Sequence, residues 1–143
     1  MYLTKQSTEI KNLDINCSGC SETEIEAKES EQNLIFPKAF KEFLMICGKD
    51  HGHLFCGDNI TLSKFNYINE CGKGNFKDAL GKEPKDALVF ILEHHGYSFY
   101  YFELGTGENP DLHLLVNGDE VFHQKFGKFA DLLNQGMKNC RTY

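Results

Sequence analysis

Residues 87 to 104 read ALVFILEHHGYSFYYFEL, and no other stretch restricts the fold of this chain as strongly. Two apolar runs, 87–94 and 97–104, are joined by His95 and Gly96 alone. A connection that short makes an antiparallel hairpin, because a parallel crossover needs about a dozen residues or more. Both runs are apolar at odd and even positions alike. Strands of that kind are covered on both faces and belong in the middle of a sheet.

More strands flank this hairpin. LHLLV (112–116) and EVF (120–122) lie on either side of Asn117-Gly118, a strong two-residue hairpin turn. HLFC (53–56) and ITL (60–62) read as two short strands across a GDN turn. GTGENP (105–110) reads as a loop.

Helical signals surround the strands. In SETE, Ser21 fits an N-cap and Glu24 the N3 position of a capping box. Residues 22–33 hold five Glu and one Lys, so most of the chain's net charge of −6 sits here. In IFPKAFKEFLMICG, Phe36, Phe40, Phe43, Leu44 and Cys47 form one buried helical face. Pro37 suits the first turn, and Gly48 is expected to end the helix in a left-handed cap. Ser63 to Cys71 reads as a short helix ended by Gly72, and Asn75 to Leu80 as another closed by Gly81. Phe126, Phe129, Leu132 and Leu133 give a final amphipathic helix.

The order is helices, an antiparallel meander of about four to six strands, then a helix packed on the sheet, which is the α+β class. Residues 21–143 are expected to form a single domain, and residues 1–20 an N-terminal arm, either a short helix or loose. A length of 143 residues and 41 % hydrophobic composition fit a folded core, filled mainly by twelve Phe and six Tyr. The acidic balance disfavours direct nucleic-acid binding. The first twenty residues lack an apolar signal-peptide core, and no apolar run approaches a membrane span. The expectation is a cytoplasmic protein with free thiols and no membrane association.

With these elements placed, the chain resembles the SUKH superfamily, the Smi/Knr-type fold. The resemblance runs from about Ser21 to Met137. An acidic helix precedes LIFPKAFKEFLMICGKD, which is similar to the family's Leu-Pro step, Phe-Leu pair and Gly-bearing loop. ALVFILEHHGYSFYYFEL is similar to its central hairpin, with Glu103 and Leu104 at the acid-Leu strand end. LHLLVNGDEVF supplies the further strand pair, and KFGKFADLL looks like the closing helix. The chain departs from the pattern at Ala27 and Lys28, where the family usually carries Leu-Glu.

The resemblance implies a non-enzymatic protein-binding module with no cofactor. Its bacterial members are typically immunity proteins that neutralise a cognate toxin, often a nuclease. Its fungal members are cell-wall regulators acting through protein contacts. Occlusion by a folded domain is the implied mechanism. The acidic patch of Glu22, Glu24, Glu26, Glu29 and Glu31 could mimic a phosphate backbone toward a basic nuclease, although an ordinary solvated helix face is the plainer reading. The expected partner-facing residues are Glu22, Glu26, Glu29, Asp50, His51, His94, His95, Tyr97, Tyr101 and Glu103. On the second hairpin strand, Tyr97, Phe99, Tyr101 and Glu103 share one face, and their polarity marks it as the more exposed one.

The alternative is a small zinc-binding or thiol-redox protein. Cys17 and Cys20 in CSGC have the spacing of one ligand pair, and His51, His53 and Cys56 could complete a tetrahedral site. Cys20 also precedes a helix N-cap, a position that lowers a thiol pKa. Against this, Cys47 and Cys56 fall on core faces, where free Cys is common. No nucleophile elbow is present, and GKGNF and GTGENP lack the ending of a phosphate cradle.

Overall fold

The computed structural model describes residues 1–52, 54–55, 62–82, 84–93 and 97–140. Its elements in chain order are α1 (Thr4–Asn12), α2 (Glu22–Gln32), α3 (Lys38–Cys47), a 3-10 turn (Leu62–Lys64) and α4 (Phe65–Leu80). Then come β1 (Ala87–Glu93), β2 (Ser98–Glu103), β3 (Leu112–Asn117), β4 (Val121–Gly127) and α5 (Phe129–Cys140). This is an α+β fold. The four strands form one antiparallel meander in the order β1-β2-β3-β4.

The hairpin pairs antiparallel, from Ala87 opposite Glu103 to Glu93 opposite Ser98. Its expected central position is corrected for β1, which is the edge strand of the four described. β1 is apolar on both faces because α3 and α5 cover one and α4 the other. A bulge lies between Val89 and Ile91. The extra residue lets Phe90 and Ile91 both enter the larger core, where strict alternation would send one of them to the other face.

Both sheet faces are covered over β1 and β2, while β4 is exposed from Val121 to Lys125. On one, Leu88, Phe90, Tyr100, Phe102 and Leu112 meet Phe40 and Phe43 of α3 and Phe129, Leu132 and Leu133 of α5. On the other, Val89, Leu92, Phe99, Tyr101 and Leu115 meet Ile68 and Phe76 of α4. The Tyr97, Phe99, Tyr101 and Glu103 face is the more exposed of the two on this strand, since Ser98, Tyr100 and Phe102 of the other are all buried, but its middle is covered. Phe99 and Tyr101 lie under the Phe76 ring, with centroids 4.9 Å away from each, and only Tyr97 and Glu103 reach solvent.

Several element boundaries also differ from expectation. The two short helices read between Ser63 and Leu80 are one helix, α4. Gly72 does not break it. A Cβ there would lie 2.4 Å from Val89 Cγ2, so glycine serves close packing of α4 on β1. Gly81 does close α4, at φ 72. Gly48 ends α3 with φ −71, not in the left-handed region. At this end the Leu44 carbonyl accepts both the Gly48 N–H at 2.8 Å and the Cys20 N–H at 2.9 Å, and the Gly48 carbonyl accepts the Leu62 N–H at 2.8 Å. Phe126 belongs to β4 and packs on Tyr100 at 5.1 Å, because β4 runs on to Gly127. Gly118 is not at positive φ, and the loop from Asn117 to Val121 spans three residues, so the two-residue turn is not the one used. Of the strands read at 53–56 and 60–62, Leu54 and Phe55 lie in a turn and Leu62 opens the 3-10 turn. His53 and residues 56–61 lie outside the described residues.

Of the two forms expected for residues 1–20, the structure has the helix. Leu3 and Ile10 of this segment are buried in the larger core. The buried carboxylate of Glu42, on α3, accepts the backbone N–H of Tyr2 at 2.9 Å and of Leu3 at 3.1 Å. It thereby supplies the anionic group that the start of α1 lacks from its own side chains.

The two α4 glycines make a direct test. Gly74 has open space where its Cβ would be, so Gly74→Ala is expected to stabilise by about 0.5–1 kcal/mol. Gly72→Ala forces a methyl into Val89 and is expected to destabilise by about 1–3 kcal/mol. Urea denaturation of the two variants checks the ordering, and the opposite ordering would refute close packing at Gly72.

Candidate functional site

Asn33 closes α2 in the left-handed conformation at φ 54, and the chain then turns sharply toward α3. Glu29 holds this turn. Its Oε2 accepts the Phe36 N–H at 2.8 Å and pairs with Lys41 Nζ at 3.4 Å. Phe36 is thereby directed into the core while Ile35, beside it, stays 83 % exposed. Met45 stands off the buried stripe of α3 and is 44 % exposed. On the far side, the Ala39 N–H donates to the Glu108 carbonyl at 2.9 Å and fixes the 105–108 loop against the start of α3.

These pieces enclose an open groove of about 820 Å³ between the start of α2, the 35–37 turn, α3 and the 105–108 loop. A hollow of about 690 Å³ along Glu26, Glu29 and Ile35 adjoins it. A third, of about 190 Å³, joins Glu22, Glu26 and Met45. Met1 also lines the groove. The surface mixes carboxylates with exposed apolar side chains, and such patches mark binding sites more often than scattered single residues do.

The five glutamates of α2 do not act alike. Glu24 completes the capping box with Ser21, and hydrogen bonds from Ser21 hold its carboxyl below the usual range. Glu31 pairs with Lys28 at 3.0 Å, which lowers its pKa as well. Glu29 is committed to the turn. Glu22 and Glu26 form no ion pair among the described residues and are the carboxylates open to a partner.

The other expected partner residues are not gathered here. Asp50 and His51 lie beyond the end of α3 and line none of these hollows. Tyr97 and Glu103 are exposed at opposite ends of β2. His94 and His95 lie outside the described residues. Tyr101 is only 2 % exposed, and burial pushes its hydroxyl up to about 12. It hydrogen-bonds His123 Nε2 and stacks on His113 at 5.0 Å, so it supports the sheet face and presents no contact surface. Sequence reasoning missed Ile35, Met45 and Glu108. The one available signal was that Met45 falls off the helical stripe.

The cysteine cluster has a structural role. The Cys20 N–H donates to the Leu44 carbonyl at 2.9 Å, and the Ser18 N–H to the Asp50 carbonyl at 2.7 Å. CSGC therefore caps the C-terminal end of α3. The expected lowering of the Cys20 thiol is overturned, because burial raises it, as does the Glu24 charge. Cys17 is raised mainly by burial, and Cys47, fully enclosed, is raised well above its ordinary value. Such thiols are poor nucleophiles. Among the described residues no group of three or more His, Cys, Asp or Glu is placed to hold a metal ion. His53 and Cys56 of the suggested zinc set lie outside those residues.

The sequence profile of the SMI1 / KNR4 family (SUKH-1) matches residues 19–135. The chain belongs to this family. The SUKH-1 match takes in α2, α3, α4 and all four strands, and so the groove except Met1. No curated protein matches the sequence. No helix of this SUKH-1 chain is long and apolar enough to cross a membrane, among the described residues.

Proposed function

We propose that this SUKH-1 protein is a non-enzymatic binding module of the immunity type, acting in the cytoplasm. It binds a cognate bacterial toxin, of which nucleases are the favoured class, and neutralises it by covering the active site or the substrate path. The observation that carries this reading is the family match over 19–135, which spans the whole sheet and helices on both of its faces. The open groove beside α2 supports it, with two carboxylates available and apolar side chains held in solvent by a rigid frame. Acidic groups at such a surface raise association rate and specificity toward a basic partner.

Co-expression with the product of a toxin-type reading frame neighbouring this gene tests the reading, and the absence of any such frame counts against it. Restored growth and a co-purifying complex are expected. Continued growth arrest with no complex would sink the immunity reading.

A further inference from the structure

We propose that the groove beside α2 receives a basic segment of the partner protein, with an aliphatic side chain seated between Ile35 and Met45 and two cationic side chains facing Glu22 and Glu26. The inference rests on the protein-binding reading above and adds the chemistry of the segment that is bound.

Three observations carry it. Ile35 and Met45 are large apolar side chains, 83 % and 44 % exposed, and both line the groove. They lose water only when an apolar group covers them. Methionine adapts its shape readily, which suits a seat for an inserted side chain. Secondly, Glu22 and Glu26 are four residues apart on α2 and border the same hollow as Met45. That spacing sets their side chains about 6 Å apart, so the matching cations lie on one face of a helix or alternate along a strand. Thirdly, the charge balance of the groove is acidic. Lys41 is held by Glu29, and Glu42 by the Tyr2 and Leu3 N–H groups, which leaves Lys38 and the Met1 amino group against Glu22 and Glu108 of the groove and Glu26 of the adjoining hollows. Nucleic acid and anionic lipid would meet repulsion here, whereas a lysine- or arginine-bearing segment would not.

Fluorescein-labelled peptides provide the probe: a central leucine pair flanked by lysines, the same peptide with glutamates for lysines, and one with serines for leucines. Anisotropy is expected to show binding of the lysine–leucine peptide alone. Glu22→Lys/Glu26→Lys and Ile35→Ser/Met45→Ser are each expected to weaken it about tenfold or more. All four positions are solvent-facing, and thermal melts check that both variants stay folded. No binding of the lysine–leucine peptide, equal binding of the glutamate peptide, or unchanged binding by the variants would overturn the proposal. So would a wild-type dimer in sedimentation that Ile35→Ser/Met45→Ser converts to monomer, since a second copy would then fill the groove. Growth protection separates the two readings. A wild-type chain that binds the peptide but gives no protection overturns only the immunity reading. Full protection by both groove variants overturns only the groove assignment.

Discussion

Phe40→Ala is expected to lower stability by about 3–5 kcal/mol. The ring is 2 % exposed and touches the rings of Phe36, Phe43, Phe90, Phe102 and Phe129, with centroids 5.1 to 6.4 Å away. Those partners come from α3 itself, the turn before it, β1, β2 and α5, so one truncation loosens every layer on this side of the sheet. The cavity cannot close easily, because the lining rings are held by separate elements. Native stability of such a domain is about 5–15 kcal/mol, so the loss is a large share of the total. A melting temperature lower by roughly 10–15 °C is expected. Ile35→Ala, at an exposed position, is expected to stay within about 0.5 kcal/mol. A Phe40→Ala protein that melts with the wild type would show that the ring cluster is not the centre of the core.

Gly19→Ala is expected to cost about 3 kcal/mol or more, from a single added methyl group. A Cβ at this position would lie 1.6 Å from the Met45 carbonyl oxygen and 2.1 Å from its carbon. Both atoms are backbone within the last turn of α3, so no rotamer change relieves the clash. The loop must move away, and the Cys20–Leu44 and Ser18–Asp50 hydrogen bonds are lost with it. Cys17→Ser tests the competing explanation for the motif. That thiol is half-buried and free, so its replacement is expected to change stability far less than Gly19→Ala does. Urea denaturation of the two variants checks this. If Cys17→Ser proves the more damaging, the motif's chemistry lies in its thiols and the capping role fails.

Legibility in the sequence followed distance along the chain. The capping box at Ser21 and Glu24 was readable because both its hydrogen bonds span three residues. The β1–β2 hairpin was readable because two unbroken apolar runs flank a minimal connection. Helix α3 was readable from its stripe. By contrast, Gly72 looks like a stop when only its neighbours along the chain are considered. Its meaning depends on Val89, which packs against it from another element. Phe126 looked helical because its spacing to Phe129 fits either a helix or a strand that ends just before one.

The site was less legible than the fold. Glu22, Glu26 and Glu29 could be picked out as acidic, but their sequence does not tell which one is neutralised. Lys41 lies twelve residues beyond Glu29, and only the turn at Asn33 brings the two together. The polar tip of Tyr101 suggests exposure, yet α4 covers it, and α4 enters the sequence more than twenty residues earlier.

By itself, the sequence determined the class of fold, the β1–β2 pairing, the α2 cap and the buried stripe of α3. Each rests on hydrogen bonding or side-chain periodicity within a few residues, which a linear pattern records directly. Only the tertiary structure decided which sheet face is closed by α4, why Gly19 and Gly72 are glycine, and that Glu42 holds the start of α1. It also decided that Ile35, Met45, Glu22 and Glu26 share one groove. These depend on the approach of elements remote in sequence, where burial is set by the surface a residue meets and not by its own neighbours in the chain.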